Sequence, residues 1–191
     1  MIGLFGGSFD PIHHGHLIVA RSVADALDLG EVRFVPARQQ PLKGGGHGAS
    51  AEHRARMVEL AIAGEPGFSL ERAELDRPGP SYTVDTLRAL ATREPGVDLV
   101  LLLGADAARD LPRWRDGDAV VRLARLALFT RGGEAVPDIP GTWRTVPVPA
   151  IEISATAVRQ RVAEGRSVRY WVPDAVAEHI AAHGLYRNGI G

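Results

Sequence analysis

The sequence predicts an α/β protein built on a doubly wound parallel sheet flanked by helices. Three observations lead there. Short apolar runs alternate with helical stretches of about ten residues or more, the order that makes βαβ units. The strongest run, Asp98-Leu99-Val100-Leu101-Leu102-Leu103, is apolar on both alternating faces, as a strand covered from both sides must be. Glycine, 22 of 191 residues, falls largely at strand ends and loops.

The elements follow in order. Ile2-Gly3-Leu4-Phe5 reads as a buried strand entering a tight turn at Gly6-Gly7. From Gly15 to about Leu29, Val19, Val23, Ala26 and Leu27 form a helical stripe that Gly30 closes. Val32–Val35 is a second strand ending at Pro36, and residues 37–50 form a loop with Lys43-Gly44-Gly45-Gly46 at its centre. Ser50 caps a helix through about Ala63, Phe68–Leu70 is a weak strand, and Tyr82 to Arg93 is a helix. After the strand ending at Gly104 come short helices around Trp114 and Val120, then strands at Leu126–Thr130 and near Thr145–Val148. Helices at about Ser154–Glu164 and Asp174–His183 finish the chain, the last stopped by Gly184. This is a Rossmann-like order. In such sheets ligands lie at the carboxyl ends of the strands. Segments 6–16, 36–43 and 104–114 leave those ends and are expected to converge in one cleft.

Composition narrows the class. A length of 191 residues fits one domain, 1–191, with the helices from about 154 packing on the same body. Apolar residues make up 45% and charged residues 24%, which excludes a disordered or fibrous chain. The balance of 22 Lys+Arg against 23 Asp+Glu lacks the basic excess that a nucleic-acid partner calls for. Cysteine is absent, so neither disulfides nor a thiolate metal site can form, and a cytoplasmic location is the simple expectation. The N-terminus does not read as a signal peptide, and Leu99–Leu103 falls far short of the ~20 residues of a membrane span. Of the 22 basic residues only Lys43 is a lysine. A lone compact ammonium in a glycine-rich loop marks it for attention.

The segment Gly6-Gly7-Ser8-Phe9-Asp10-Pro11-Ile12-His13-His14-Gly15-His16 carries the first chemical signal. Two glycines let the backbone approach an anion, and the following helix turns its N-terminus to the same place. His13 and His16, either side of Gly15, can both face one phosphate as cations or hydrogen-bond donors. The string is neither the dinucleotide fingerprint nor a P-loop. A metal reading of the imidazoles is the weaker one, since no carboxylate cluster accompanies them. Near the other end, Ile153-Ser154-Ala155-Thr156-Ala157-Val158-Arg159 places Ser154 or Thr156 at a helix cap. Arg159 lies one turn from Thr156 and can reach a phosphate.

Gly-Gly-Ser-Phe-Asp-Pro-x-His-x-Gly-His closely resembles the signature of the H/T-x-G-H nucleotidyltransferase superfamily. The Ile153–Arg159 segment resembles its I-S-x-T-x-x-R box. Gly79–Leu87 and Gly104-Ala105-Asp106 … Leu111-Pro112-Arg113-Trp114 are similar to stretches of the bacterial nicotinate-nucleotide adenylyltransferase family, and the likeness runs from residue 2 to about 186. It implies adenylyl transfer from ATP to nicotinate mononucleotide, giving deamido-NAD and pyrophosphate. It also implies Mg²⁺ held by the ATP phosphates rather than by protein side chains. The attack is expected to be direct and in line, since a phosphate monoester with a second pKa near ~6 needs no general base at neutral pH. His13, His16, Lys43 and Arg159 are the expected catalytic groups. Gly6, Gly7, Ser8, Phe9, Gly104, Asp106, Ser154 and Thr156 join His16 and Arg159 at ATP.

Tyr82, Thr83, Leu111 and Trp114 are the expected mononucleotide contacts, with Trp114 stacking on the pyridine ring and the backbone near Thr83 holding the carboxylate. Asp106 either accepts from a ribose hydroxyl or caps the helix after Gly104. Trp143 and Trp171 are expected to be packing residues. Leu42, where the family usually has His, and Asp110, where many relatives carry an aromatic residue, depart from the pattern. The resemblance leaves homo-oligomer formation open. Transfer to nicotinamide mononucleotide or phosphopantetheine, and a non-catalytic ATP-binding relative, are the alternatives.

Overall fold

The computed structural model describes residues 1–41, 47–132, 137–139 and 141–187. Six strands form one parallel sheet: β1 (Ile2–Gly7), β2 (Glu31–Pro36), β3 (Phe68–Leu70), β4 (Leu99–Gly104), β5 (Arg125–Arg131) and β6 (Thr142–Val148). Their order is β3-β2-β1-β4-β5-β6, so the chain reverses its direction of travel between β1 and β4. The helices are α1 (His14–Leu27), α2 (Ala51–Ile62), α3 (Ala73–Asp76), α4 (Thr83–Arg93), α5 (Ala105–Asp110), α6 (Gly117–Leu123), α7 (Ala155–Ala163) and α8 (Asp174–Ala182). A 3₁₀ turn, Leu111–Arg113, follows α5. No helix among the described residues is long and apolar enough to cross a membrane.

The period of two along each strand divides the core. On one face Phe5, Val32, Phe34, Val100, Leu102 and Phe129 pack with Val19 and Val23 of α1 and Met57 and Val58 of α2. Val158 of α7 and Val176 and Ile180 of α8 join that same cluster. On the other face Leu4, Val35, Leu101, Leu103, Leu126 and Leu128 pack with Val84, Leu87 and Leu90 of α4 and Val120 of α6. β4 is covered on both sides, as its apolar run requires. Each fully buried side chain of this size contributes roughly 1.5–3 kcal/mol.

The structure differs from the sequence reading at several points, and β6 begins at Thr142 rather than near Thr145. α1 ends at Leu27, and Asp28 in the left-handed conformation (φ 50°) caps it, its N–H donating to the Ala24 carbonyl; Gly30 is not the terminator. Asp tolerates that conformation because its short polar side chain can bond locally. Trp114 lies just beyond the 3₁₀ turn rather than inside a helix. α3, one turn long, has no periodic signal to betray it.

Candidate active site

The reversal between β1 and β4 leaves a crevice at the carboxyl ends of the strands, where the connections part to opposite faces. A cleft of ≈ 780 Å³ occupies it. Gly6, Gly7 and His16 line it from the first motif, and Gln40 and Pro41 from the loop after β2. Tyr82, Thr83, Gly104, Asp106 and Trp114 line it from the middle of the chain. The three segments expected to converge do so. Lys43 and Leu42 lie outside the described residues.

Local packing shapes the first motif. A Cβ at Gly7 would stand 3.0 Å from the Phe9 ring, so a larger residue there would require that ring to give way. Phe9 itself adopts φ 48°, a costly conformation for a bulky residue, and burial of its ring against Phe5, Phe34 and His16 holds it there. His13 is the residue before α1, and the rings of His13 and His16 stack with centroids 3.7 Å apart. The His13 backbone N–H donates to His16 Nδ1 at 3.2 Å. That bond occupies Nδ1 as an acceptor, so the neutral His16 ring carries its proton on Nε2 and is a donor there. His13 is 3% exposed and is not part of the cleft lining.

Burial holds both imidazoles below the usual histidine range, His13 down to about 4 and His16 well below 6.5. The Arg131 charge adds to the effect at both, and each ring also feels a neighbouring histidine, His14 at His13 and His13 at His16. At neutral pH the pair is therefore a set of neutral donors. Arg131 stands at the carboxyl end of β5 and lines the cleft. Sequence reasoning missed it, and its position at a strand end was the available signal.

The second motif reaches the first through the backbone. Ser154 caps α7, its hydroxyl accepting from the Ala157 N–H at 3.1 Å. Arg159 Nη1 donates to the Asp10 carbonyl at 2.8 Å, and Nη2 to Thr156 Oγ1 at 3.2 Å. Ile151 comes beside Gly15, whose added Cβ would stand 3.6 Å from Ile151 Cγ2. The His14 N–H donates to the Trp171 carbonyl at 3.0 Å. Arg159 thus braces the motif loop, with Thr156 bonded to it, and none of Ser154, Thr156 and Arg159 is part of the cleft lining.

Asp10 is the buried centre of that brace. Its carboxylate accepts from the Gly48 N–H (2.6 Å), the Ala49 N–H (3.0 Å) and the Tyr186 hydroxyl (2.7 Å). Arg54, 0% exposed on α2, donates to the Ser8 carbonyl at 2.7 Å and the Arg38 carbonyl at 3.3 Å. It ties the loop after β1 to the loop after β2. An arginine among the apolar residues of α2 was the sequence signal for this second missed residue.

The middle segments build the rest of the cleft. Tyr82 precedes α4, so the first N–H groups of that helix, at Thr83 and Val84, have no partner within the helix, and Tyr82 and Thr83 line the cleft. The Arg115 guanidinium lies 4.7 Å over the Tyr82 ring. Trp114 is half-buried, and its N–H donates to the Leu111 carbonyl at 3.0 Å. Leu111 is buried in the core beneath it and does not line the cleft. Asp106 does not cap α5, whose cap is Gly104; its exposed carboxylate pairs with Arg109 at 2.7 Å. Asp110 pairs with Arg113 at 3.1 Å. Glu74, buried at the cleft wall, accepts from Thr86 Oγ1 at 3.0 Å, and burial raises its carboxyl above the usual range. Trp143 and Trp171 pack against the core cluster, stacked under Arg125 and Arg161 respectively.

Comparison with known proteins agrees with this geometry. A family model described as cytidylyltransferase-like matches residues 4–161. A probable nicotinate-nucleotide adenylyltransferase of Roseiflexus sp. is 48% identical over 196 residues, covering 97% of this chain and 98% of the relative. One of Thermus thermophilus is also 48% identical, covering 97% and 99%. The structure of Plasmodium falciparum nicotinic acid mononucleotide adenylyltransferase complexed with NaAD superposes with a TM-score of 0.80 at 20% identity, covering 100% of this chain and 98% of that one. At that identity the match speaks for the fold.

Proposed function

Because this chain belongs to the cytidylyltransferase-like family, in its nicotinate-nucleotide adenylyltransferase branch, we propose that it transfers the adenylyl group of ATP to nicotinate mononucleotide, forming deamido-NAD and pyrophosphate in NAD biosynthesis. The observation that carries this reading is a single cleft lined both by the Gly6-Gly7 turn with His16 and by the start of α4 with Trp114. One part suits a polyphosphate. The other suits a flat ring bearing a carboxylate.

The mononucleotide phosphate attacks the α-phosphorus in line, its oxygen already deprotonated at neutral pH because the second pKa of a phosphate monoester is about 6. The protein aligns the two phosphates and stabilises the charge that develops between them. His16 donates from Nε2 to a phosphate oxygen. The backbone of Gly7–Phe9 lies alongside, and Arg131 adds positive charge. His13 stacks beneath His16 and fixes its tautomer through its backbone N–H.

Arg159 acts as a positioning residue through the Asp10 carbonyl, with Ser154 and Thr156 presenting the start of α7 to the ATP phosphates. Gly6, Ser8, Gly104 and Asp106 complete the nucleotide side. Lys43 is assigned to the triphosphate on the sequence argument alone. The cleft carboxylates Asp106 and Asp110 are paired with arginines and Glu74 is engaged with Thr86, so the ATP phosphates are the natural oxygen ligands for a divalent cation. A Mg²⁺ held by those phosphates would neutralise charge on the pyrophosphate as it leaves.

On the mononucleotide side, Trp114 stacks on the pyridine ring and Leu111 supports Trp114 from below. The free N–H groups at Thr83 and Val84 receive the nicotinate carboxylate, which favours the acid over the amide. Pyrophosphate release with Mg²⁺ and ATP tests this, with nicotinate mononucleotide, nicotinamide mononucleotide and phosphopantetheine compared side by side. Turnover strongly favouring the first is expected. Preference for the amide would keep the chemistry and refute the Thr83 pocket. ATP binding without turnover on all three would make the chain a non-catalytic binder.

A further inference from the structure

Three of the seven histidines gather away from the cleft. His53 lies in the first turn of α2, His179 in the last turn of α8, and His183 one turn further on. The spacing of His179 and His183, four residues apart, puts both rings on one face of the helix, the arrangement by which a helix chelates a metal ion. Their rings cluster with the His53 ring, with centroids 4.2 to 5.3 Å apart. One ring nitrogen from each of the three lies within 4.8 Å of the others. None of the three lines the cleft.

The contacts within the cluster fit a metal ion. His53 Nδ1 and His179 Nε2 lie 3.1 Å apart, a hydrogen bond when one of them carries the proton. Two nitrogens bound to one tetrahedral ion at about 2.05 Å would stand about 3.3 Å apart, so this pair already spans a coordination edge. His183 Nδ1 lies 2.9 Å from the His179 backbone carbonyl. A carbonyl only accepts, so His183 carries its proton on Nδ1 and its Nε2 lone pair is free. An imidazole tied to a backbone carbonyl in this way is the usual support of a metal-bound histidine.

We propose that His53, His179 and His183 form a site for a divalent transition-metal ion of the zinc, nickel or cobalt class, stapling α2 to α8. Three neutral imidazoles suit such borderline ions and not Mg²⁺, which prefers oxygen. A small shift of the exposed His183 ring that keeps its bond to the His179 carbonyl closes the third edge, and water fills the fourth position. The Arg56 charge reaches His179, and Arg56 itself pairs with Glu59.

The staple has a mechanical consequence. α2 follows directly on Gly48 and Ala49, and α8 leads into Tyr186, and all three hold the Asp10 carboxylate. An ion joining α2 and α8 therefore clamps the two segments that meet behind the active-site loop. The effect falls on stability, not on turnover.

The test uses the full chain, stripped with a chelator and free of nucleotide, titrated with Zn²⁺ by calorimetry and with Co²⁺ by visible absorption. The expected result is one ion per chain with a micromolar or tighter Kd and a tetrahedral Co²⁺ spectrum. At a hundredfold excess over Kd, Zn²⁺ should raise Tm by on the order of 5–10 °C. His183→Gln should weaken binding at least tenfold and abolish the Tm rise, while its Mg²⁺-ATP turnover and its circular dichroism stay those of the parent. Absence of saturable binding below 100 μM overturns the proposal. So does binding that survives His183→Gln, or binding that disappears in His16→Ala, which would locate the ion at the cleft histidines instead.

Discussion

The Tyr186 hydroxyl donates to Asp10 Oδ1 at 2.7 Å, joining residues 176 positions apart. Burial and the adjacent carboxylate push the phenol well above its usual range, so Tyr186 is a permanent donor. The carboxylate it serves also takes two backbone N–H groups ahead of α2, and the Asp10 carbonyl takes Arg159. Through this one residue the end of the chain holds the loop that makes the cleft.

Tyr186→Phe removes one donor from a buried carboxylate and should cost about 2 kcal/mol. Asp10→Ala strands three donors at once and should cost upwards of about 3 kcal/mol. Urea unfolding measures both. A loss below about 0.5 kcal/mol for Tyr186→Phe would show that the bond contributes nothing to the fold.

His16→Ala deletes the Nε2–H donor while leaving the Gly6-Gly7 turn in place. Turnover should fall on the order of 10²–10³-fold. Steady-state pyrophosphate release measures this, with circular dichroism to confirm the fold. Near-normal turnover in a folded variant would remove His16 from the mechanism.

Acid should weaken the protein through the buried imidazoles. His13 binds its proton near pH 4 in the native state, against about 6.5 in an unfolded chain, so the unfolded chain protonates first. Stability is full above pH 6.5 and declines as pH falls from 6.5 towards 4, by about 3 kcal/mol for this residue. His16 contributes with the same sign. Urea midpoints at pH 7.5, 6 and 5 read the slope, and His13→Phe should flatten it. A parent protein equally stable at pH 5 and 7.5 would contradict the account.

Trp114→Ala should raise KM for the mononucleotide about tenfold, the equivalent of about 1.4 kcal/mol of lost stacking, and change KM for ATP less than twofold. Initial rates with each substrate varied in turn separate the two. Equal effects on both would mean that Trp114 only supports the wall of the cleft.

What the sequence by itself determined is everything that depends on local pattern. Short apolar runs set the six strands, Ser50 and Ser154 announce their helices by capping them, and the glycines that end β1 and β4 flank the cleft. That His16, Thr83 and Trp114 line one cleft was legible for the same reason, since each belongs to a short contiguous motif. Tertiary structure alone decided which of the remaining polar groups face the cleft and which stand behind it. His13 and Arg159 share motifs with cleft residues, yet one is buried under His16 and the other donates to the Asp10 carbonyl, outside the cleft lining. Arg54 and Tyr186 carry no motif, and their roles exist only because α2 and the end of the chain fold back onto one loop. A buried charge or hydroxyl must find its partner wherever the fold brings one, and that partner stands 46 positions away for Arg54 and 176 for Tyr186, beyond the reach of any periodicity.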